Sequence, residues 1–235
     1  LSNQKQDVVV SDPKKFKIKT NLFTAELSNE HGGTFLQYTL NDEKYRGAYT
    51  KSSSSFKQDT RHSYDETAPV SFLFTEREGF SPCNPCLEDI MTNNSHSVFI
   101  NGAPLEENRD EFVITKKTTI EFKSADFNHI IIVEPNSYKV LHKYKILSDE
   151  LKNSSPKLVW ANGTRPSEKY GWLDDQNSFG MFLTKNTEDS EYLDYGDDAP
   201  KSFQDIEWVA SRNKFFVSAL VPSGSSVYSG EIVPK

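Results

Sequence analysis

Ile206-Glu-Trp-Val-Ala-Ser-Arg-Asn-Lys-Phe-Phe-Val-Ser-Ala-Leu-Val-Pro222 reads as two strands around a polar turn. Ile206, Trp208 and Ala210 alternate with Glu207 and Ser211, the period of two that marks a strand with one buried face. Ser211-Arg-Asn-Lys214 interrupts the run. Beyond it Phe215, Val217, Ala219 and Val221 share one face, while Phe216 and Leu220 point the other way. Apolar residues on both faces predict a central strand, closed by Pro222, which lacks the N–H that a ladder needs. Trp208 and Phe215 are expected in the core.

The same period recurs outward from this hairpin. Phe16 and Ile18 alternate with Lys15, Lys17 and Lys19, and Phe23, Ala25 and Leu27 alternate with Thr24 and Glu26. Asn29-Glu-His-Gly-Gly33 predicts a turn, since glycine accepts positive φ without steric cost. Leu36, Tyr38 and Leu40 resume the pattern. Asn101-Gly102 after Ser97-Val-Phe-Ile100 is a hairpin signal. Phe112, Ile114, Ile120 and Phe122 mark two strands joined at Lys116-Lys117. His129 leads into Ile130-Ile-Ile-Val133. From Tyr138, one face carries Val140, His142, Tyr144 and Ile146, and the other carries Lys139, Lys143 and Lys145. Strands follow at Lys157–Ala161, Phe179–Leu183 and Glu191–Tyr195. Ser148–Lys152 allows a single helical turn. No stretch keeps a period of 3.6 over three turns. The expected class is all-β with little helix: strands at this spacing build a sandwich or barrel.

Residues 1–13 read as a leader, with 14–235 as one β domain interrupted by polar insertions at about 41–68 and 79–95. At 235 residues the chain can bury a substantial core. Its net charge of -7 (27 basic against 34 acidic residues) disfavours a nucleic-acid surface. The longest apolar runs fall far short of the roughly 18 residues that a spanning helix needs. The chain begins with no basic-then-apolar signal segment, and a segment cut from between two membrane spans would read the same way.

Catalytic signatures are missing from the sequence: there is no G-x-S-x-G elbow, no Walker loop and no H-E-x-x-H. The five histidines, at 31, 62, 96, 129 and 142, show no ligand spacing. Cys83 and Cys86 are the only cysteines. Pro82, Pro85 and the β context speak against a thioredoxin-type redox motif, which opens a helix. A zinc site wants four ligands, and beyond the cysteines only His96 offers itself. A local disulfide loop or two free thiols in an exposed insertion remain, and an oxidising compartment favours the first. Asp194–Pro200 lacks the spacing and closing Glu of a calcium loop. Catalytic, cofactor and metal sites are each expected to be none.

Three stretches carry a resemblance. Glu207-Trp-Val-Ala-Ser-Arg-Asn-Lys-Phe-Phe216 resembles the W-[VI]-x-x-[RK]-[ND]-K-[YF]-F signature in the large periplasmic domain of YidC, the bacterial membrane protein insertase. Phe16–Leu40 is similar to that domain's opening strands, and Trp160-Ala-Asn-Gly-Thr-Arg-Pro-Ser-Glu168 gives a weaker match in the family's order. The resemblance implies a β-supersandwich of two large antiparallel sheets on the outer face of the inner membrane. It implies no catalysis and no cofactor, and an accessory role in membrane protein insertion. Its implied partners are the Sec translocon's accessory subunits and nascent membrane proteins. The insertase activity resides in membrane helices that this chain does not contain. The family's domain continues into further strands and a helix, so the stop at Lys235 implies that a C-terminal part is missing. The competing reading is a carbohydrate-binding or aldose-epimerase-like supersandwich protein, because the Gly-Gly meander also opens those. For that reading, Asn128-His129 is the pair to check and Trp160, Trp172 and Trp208 are stacking candidates, although Ile130-Ile131 follow the pair where epimerases carry Tyr-Phe. A strand-edge histidine is the expected reading of His129.

Overall fold

The computed structural model describes residues 12–49, 64–73, 81–87, 95–161, 163–169, 176–193, 197, 199–224 and 228–233. Of these, 48% are strand and 3% helix, so the chain is all-β as the alternation predicts. It divides into two compact units, residues 1–45 with 80–161 and residues 46–79 with 162–235.

In the first unit, β1 (Lys15–Lys19), β2 (Phe23–Ser28) and β3 (Thr34–Leu40) form an antiparallel meander. β9 (Glu111–Val113) joins the outer side of β1 in parallel, the one parallel pairing among the described residues. A second sheet runs β12 (Leu141–Ile146), β11 (Phe127–Val133), β10 (Thr118–Lys123), β7 (Ser97–Ile100) and β8 (Ala103–Pro104). The predicted Asn101-Gly102 hairpin is present, with both residues at positive φ of 51° and 83°. Phe16, Ile18, Phe23, Ala25 and Leu27 from one sheet, and Ile120, Phe122, Phe127, Ile131 and Val133 from the other, are buried to within 1% exposure. The Phe16 and Phe122 rings lie 6.2 Å apart, one from each sheet, so the core of this unit is the layer between two packed sheets. The lysines of β1 and β12 face solvent, which is why their strands alternate so cleanly.

The single helix among the described residues, α1 (Asp149–Asn153), is capped by the Ser148 hydroxyl, which accepts from the Leu151 N–H. It presents Leu151 to Phe127 and Leu87, with Tyr144 and Ile146 alongside. Leu87 belongs to β6 (Cys86–Leu87), which pairs with β13 (Leu158–Val159).

In the second unit, β14 (Phe179–Thr184) and β17 (Ile206–Arg212) are the inner strands of a four-stranded sheet. β15 (Glu191–Leu193) and β18 (Val217–Leu220) lie at its two edges. Two short ladders complete the unit, β4 (Arg46–Tyr49) with β5 (Tyr64–Pro69), and β16 (Lys201–Phe203) with β19 (Gly230–Ile232). The first ladder forms from the two ends of the polar segment read as a loop at 41–68; residues 50–63 lie outside the described ones.

The hairpin read at Ile206–Pro222 exists, with Ala210 paired to Ala219, but two expectations about it fail. β18 is an edge strand rather than a central one, and the face that was to be core is exposed: Phe215 is 62%, Val217 60% and Val221 68% exposed. Sequence alternation reports that two faces exist, and when both are apolar it cannot tell which one is covered. Trp208 is half-buried rather than wholly buried.

Candidate functional site

The three stretches that carry the resemblance are where a functional site was to be sought, and two of them meet. Asn213, 1% exposed, sits at the head of the β17–β18 hairpin. Its Oδ1 accepts from the N–H groups of Phe215 (3.0 Å) and Phe216 (2.8 Å), and its own N–H donates to the Phe216 carbonyl at 2.9 Å. That is the local side-chain-to-backbone bonding that makes Asn a turn residue. Its Nδ2 donates outward, to the Arg165 carbonyl (2.9 Å) and to Ser167 Oγ (3.2 Å). Ser211 binds the same partner segment. Its Oγ accepts from the Thr164 N–H and its carbonyl accepts from Thr164 Oγ1, both at 2.8 Å. Lys214 Nζ reaches Glu168 Oε1 at 3.3 Å. On the other side the Arg165 N–H donates to the Phe72 carbonyl, and the Phe72 ring packs edge-on against Phe216, 5.0 Å between centroids.

Ser211-x-Asn213-Lys214 and Gly163-Thr-Arg-x-Ser-Glu168 are therefore two halves of one clasp. Gly163, at φ +64°, is required there, because a Cβ would meet Ser211 Oγ at 2.7 Å. The clasp satisfies buried polar groups that would otherwise be costly. Its hydrogen bonds hold the second unit together.

The opening motif is structural in the same sense. Gly32 and Gly33, at φ +77° and +83°, lie against the Phe127 and Phe122 rings so closely that any Cβ would collide with them. Their carbonyls both face His129 Nδ1, at 2.9 Å each. His129 is 0% exposed and lies on β11, an inner strand of its sheet, so the strand-edge reading is corrected. A period-two reading places a residue on a face but cannot tell where along the sheet its strand lies. Tyr144 stacks on the ring at 4.2 Å, and His129 Nε2 meets His142 Nδ1 at 3.0 Å. Burial drives the His129 pKa from 6.5 down to about 3 and that of His142 down to about 4. The buried His129 ring lies out of reach of a sugar hydroxyl in this arrangement. Trp160 and Trp208 are half-buried, and Trp172 lies outside the described residues.

Cys83 and Cys86 are joined as a disulfide. Their expected exposed setting is wrong: residues 83–87 are all buried. Thr34 Oγ1 donates to the Pro82 carbonyl at 2.7 Å and accepts from the Asn84 N–H at 3.0 Å. Asn84 Nδ2 donates to the Phe35 carbonyl, and the Ala161 N–H donates to the Cys83 carbonyl. The short apolar content of this Pro-rich stretch gave no periodicity by which its burial could be read.

Among the described residues no group of three His, Cys, Asp or Glu side chains converges as a metal site would require, and no helix is long and apolar enough to cross a membrane. Of the acidic segment Asp194–Pro200, residues 194–196 and 198 lie outside the described ones, and Asp197 stands 3.9 Å from Lys201 Nζ.

Compared with known protein families, the chain matches the model of the YidC periplasmic domain over residues 15–232. No curated protein matches it.

Proposed function

Because the chain belongs to the YidC periplasmic domain family, we propose that it is a non-catalytic accessory domain of a membrane protein insertase, working at the outer face of the bacterial inner membrane. It serves as a rigid platform that meets other polypeptide: accessory subunits of the Sec translocon or nascent membrane proteins. The observation that supports this reading best is the fate of the resemblance-bearing residues. Asn213, Ser211, Gly32 and Gly33 are all spent on holding sheets and turns in place. Residues that build a scaffold suit a domain that positions partners rather than one that turns over substrate. A net charge of -7 also disfavours docking on anionic lipid heads, which calls for clustered Lys and Arg.

The test is a paired measurement on the purified chain. Binding to ectodomains of Sec accessory subunits and to unfolded apolar polypeptide is followed by calorimetry, and anomer interconversion of aldoses by polarimetry. Binding without turnover is the expected result. Turnover that scales with protein concentration and survives repurification would replace this reading with the sugar-enzyme one.

A further inference from the structure

Four of the five histidines in the sequence lie in the first unit, and they gather round one turn. His31 is in the turn itself, with its Nδ1 buried and without a hydrogen-bond partner. His96 is tied to the turn by its N–H, which donates to the Asn29 carbonyl at 2.9 Å, and by its carbonyl, which accepts from Asn29 Nδ2. His129 holds the Gly32 and Gly33 carbonyls, and His142 holds His129.

The bonding fixes the proton inventory. Two carbonyls can only accept, so His129 Nδ1 carries a hydrogen and donates to both of them. His129 Nε2 is then the lone-pair nitrogen, and His142 Nδ1 must donate to it. Both rings are neutral in this arrangement. A proton added to His129 puts a positive charge in a fully buried position and a hydrogen on Nε2, which forces His142 to surrender its own Nδ1 hydrogen. A second proton sets two N–H groups against each other across 3.0 Å. The one carboxylate in the turn, Glu30, accepts from the Ser28 hydroxyl. Titratable neighbours are His142 and Tyr144 from β12, His96 ahead of β7, and His31 and Glu30 in the turn. β10 contributes Phe122 and β3 contributes Phe35. Glu121, Lys123, Lys143 and Lys145 occupy the alternate positions of their strands, away from the buried face. The cheapest way to hydrate a charged His129 is to lift the Gly32–Gly33 turn off it, since the glycines have no side chains anchoring them.

We propose that the His129–His142 pair is an acid-released latch on the β2–β3 turn: neutral, it binds the Gly32 and Gly33 carbonyls, and protonated, it lets the turn open and bares Phe122 and Phe127 while the sheets stay folded. His142 is the half-buried member and the entry point for the proton.

Hydrogen exchange on the whole chain, followed residue by residue and corrected for the intrinsic pH dependence, tests this. The Gly33 amide, bonded to the Glu30 carbonyl at 3.0 Å, reports the turn, and the Ile120 and Ile131 amides report the sheet. An opening that takes up one proton gains about tenfold per pH unit below the unfolded value. The Gly33 opening constant is expected to rise by about that factor per unit below pH 6, with Ile120 and Ile131 unchanged. His129→Asn, which keeps a donor at the Nδ1 position facing the Gly32 and Gly33 carbonyls but does not titrate, should flatten the slope. Should that variant not fold, imidazole nitrogen NMR of the native chain decides: His129 in the Nδ1–H form at pH 7, taking up its proton in step with the loss of Gly33 protection, supports the latch. Loss of protection at Gly33 and Ile131 together, no pH dependence at Gly33, or His129 in the Nε2–H form would overturn it.

Discussion

Asn213 does more for the second unit than its size suggests. One carboxamide closes the β17–β18 turn through its oxygen and holds the Arg165–Ser167 segment through its nitrogen. Truncation leaves several buried groups unsatisfied at once, and each costs about 1–3 kcal/mol. Asn213→Ala is expected to lower stability by about 2–4 kcal/mol, measured as a shift of the urea midpoint at constant slope. Asn213→Asp should also destabilise, because it keeps the acceptor but turns a carboxylate toward the Arg165 carbonyl. If Asn213→Asp matched the native chain, the nitrogen's bonds would count for nothing and the clasp would rest on Ser211 and Thr164 alone. Sequence reading reached Asn213 only as part of a polar turn and of a resembling pattern. A hydrogen bond to residues 46 and 48 positions away leaves no mark in local periodicity.

At the scale of single elements, legibility followed the chemistry of each face. β1, β2 and β12 were readable because lysines or other polar side chains mark one face, so burial has a single solution. β18 was misread because both its faces are apolar, and the Cys83–Leu87 stretch because it has no period at all. The two failures give opposite predictions. Phe215→Ser touches an exposed ring and should change stability by less than about 0.5 kcal/mol, while Trp208→Ala, half-buried, should cost about 2 kcal/mol, below the 3–5 expected of a fully buried aromatic. A large loss for Phe215→Ser would mean that its face is covered in solution. Replacing Cys83 and Cys86 together by Ser removes a buried crosslink. Chain entropy alone assigns about 2 kcal/mol to so short a loop, and two hydroxyls in an apolar setting add to that. Thermal melts of the double variant and of the reduced native chain should agree on a lowered midpoint, and an unchanged one would return the pair to the peripheral role read from the sequence.

At the scale of the whole molecule, the class was legible but the partition was not. Strand periodicity announces how many faces need covering, whereas the assignment of strands to units depends on pairings far apart in the chain. The chain leaves the first unit after residue 45, contributes 46–79 to the second, returns for 80–161 and then completes the second with 162–235. This interleaving makes a specific demand. The second unit's sheet of β14, β15, β17 and β18 lies wholly within 162–235, yet the segment that clasps it is itself held from 46–79. Phe72 packs on Phe216 and accepts from the Arg165 N–H, and Tyr64 OH donates to the Ser167 carbonyl at 2.9 Å. A fragment of 162–235 alone therefore keeps its sheet's strands but loses these three ties, and so few residues bury too little apolar surface to offset the entropy of ordering them. The fragment is expected to give a disordered circular dichroism spectrum with no cooperative melt. Supplying 46–79 through a flexible linker should restore β signal and a transition. A cooperatively folded 162–235 fragment would show that the clasp is closed by its own segments and that the contribution from 46–79 is incidental.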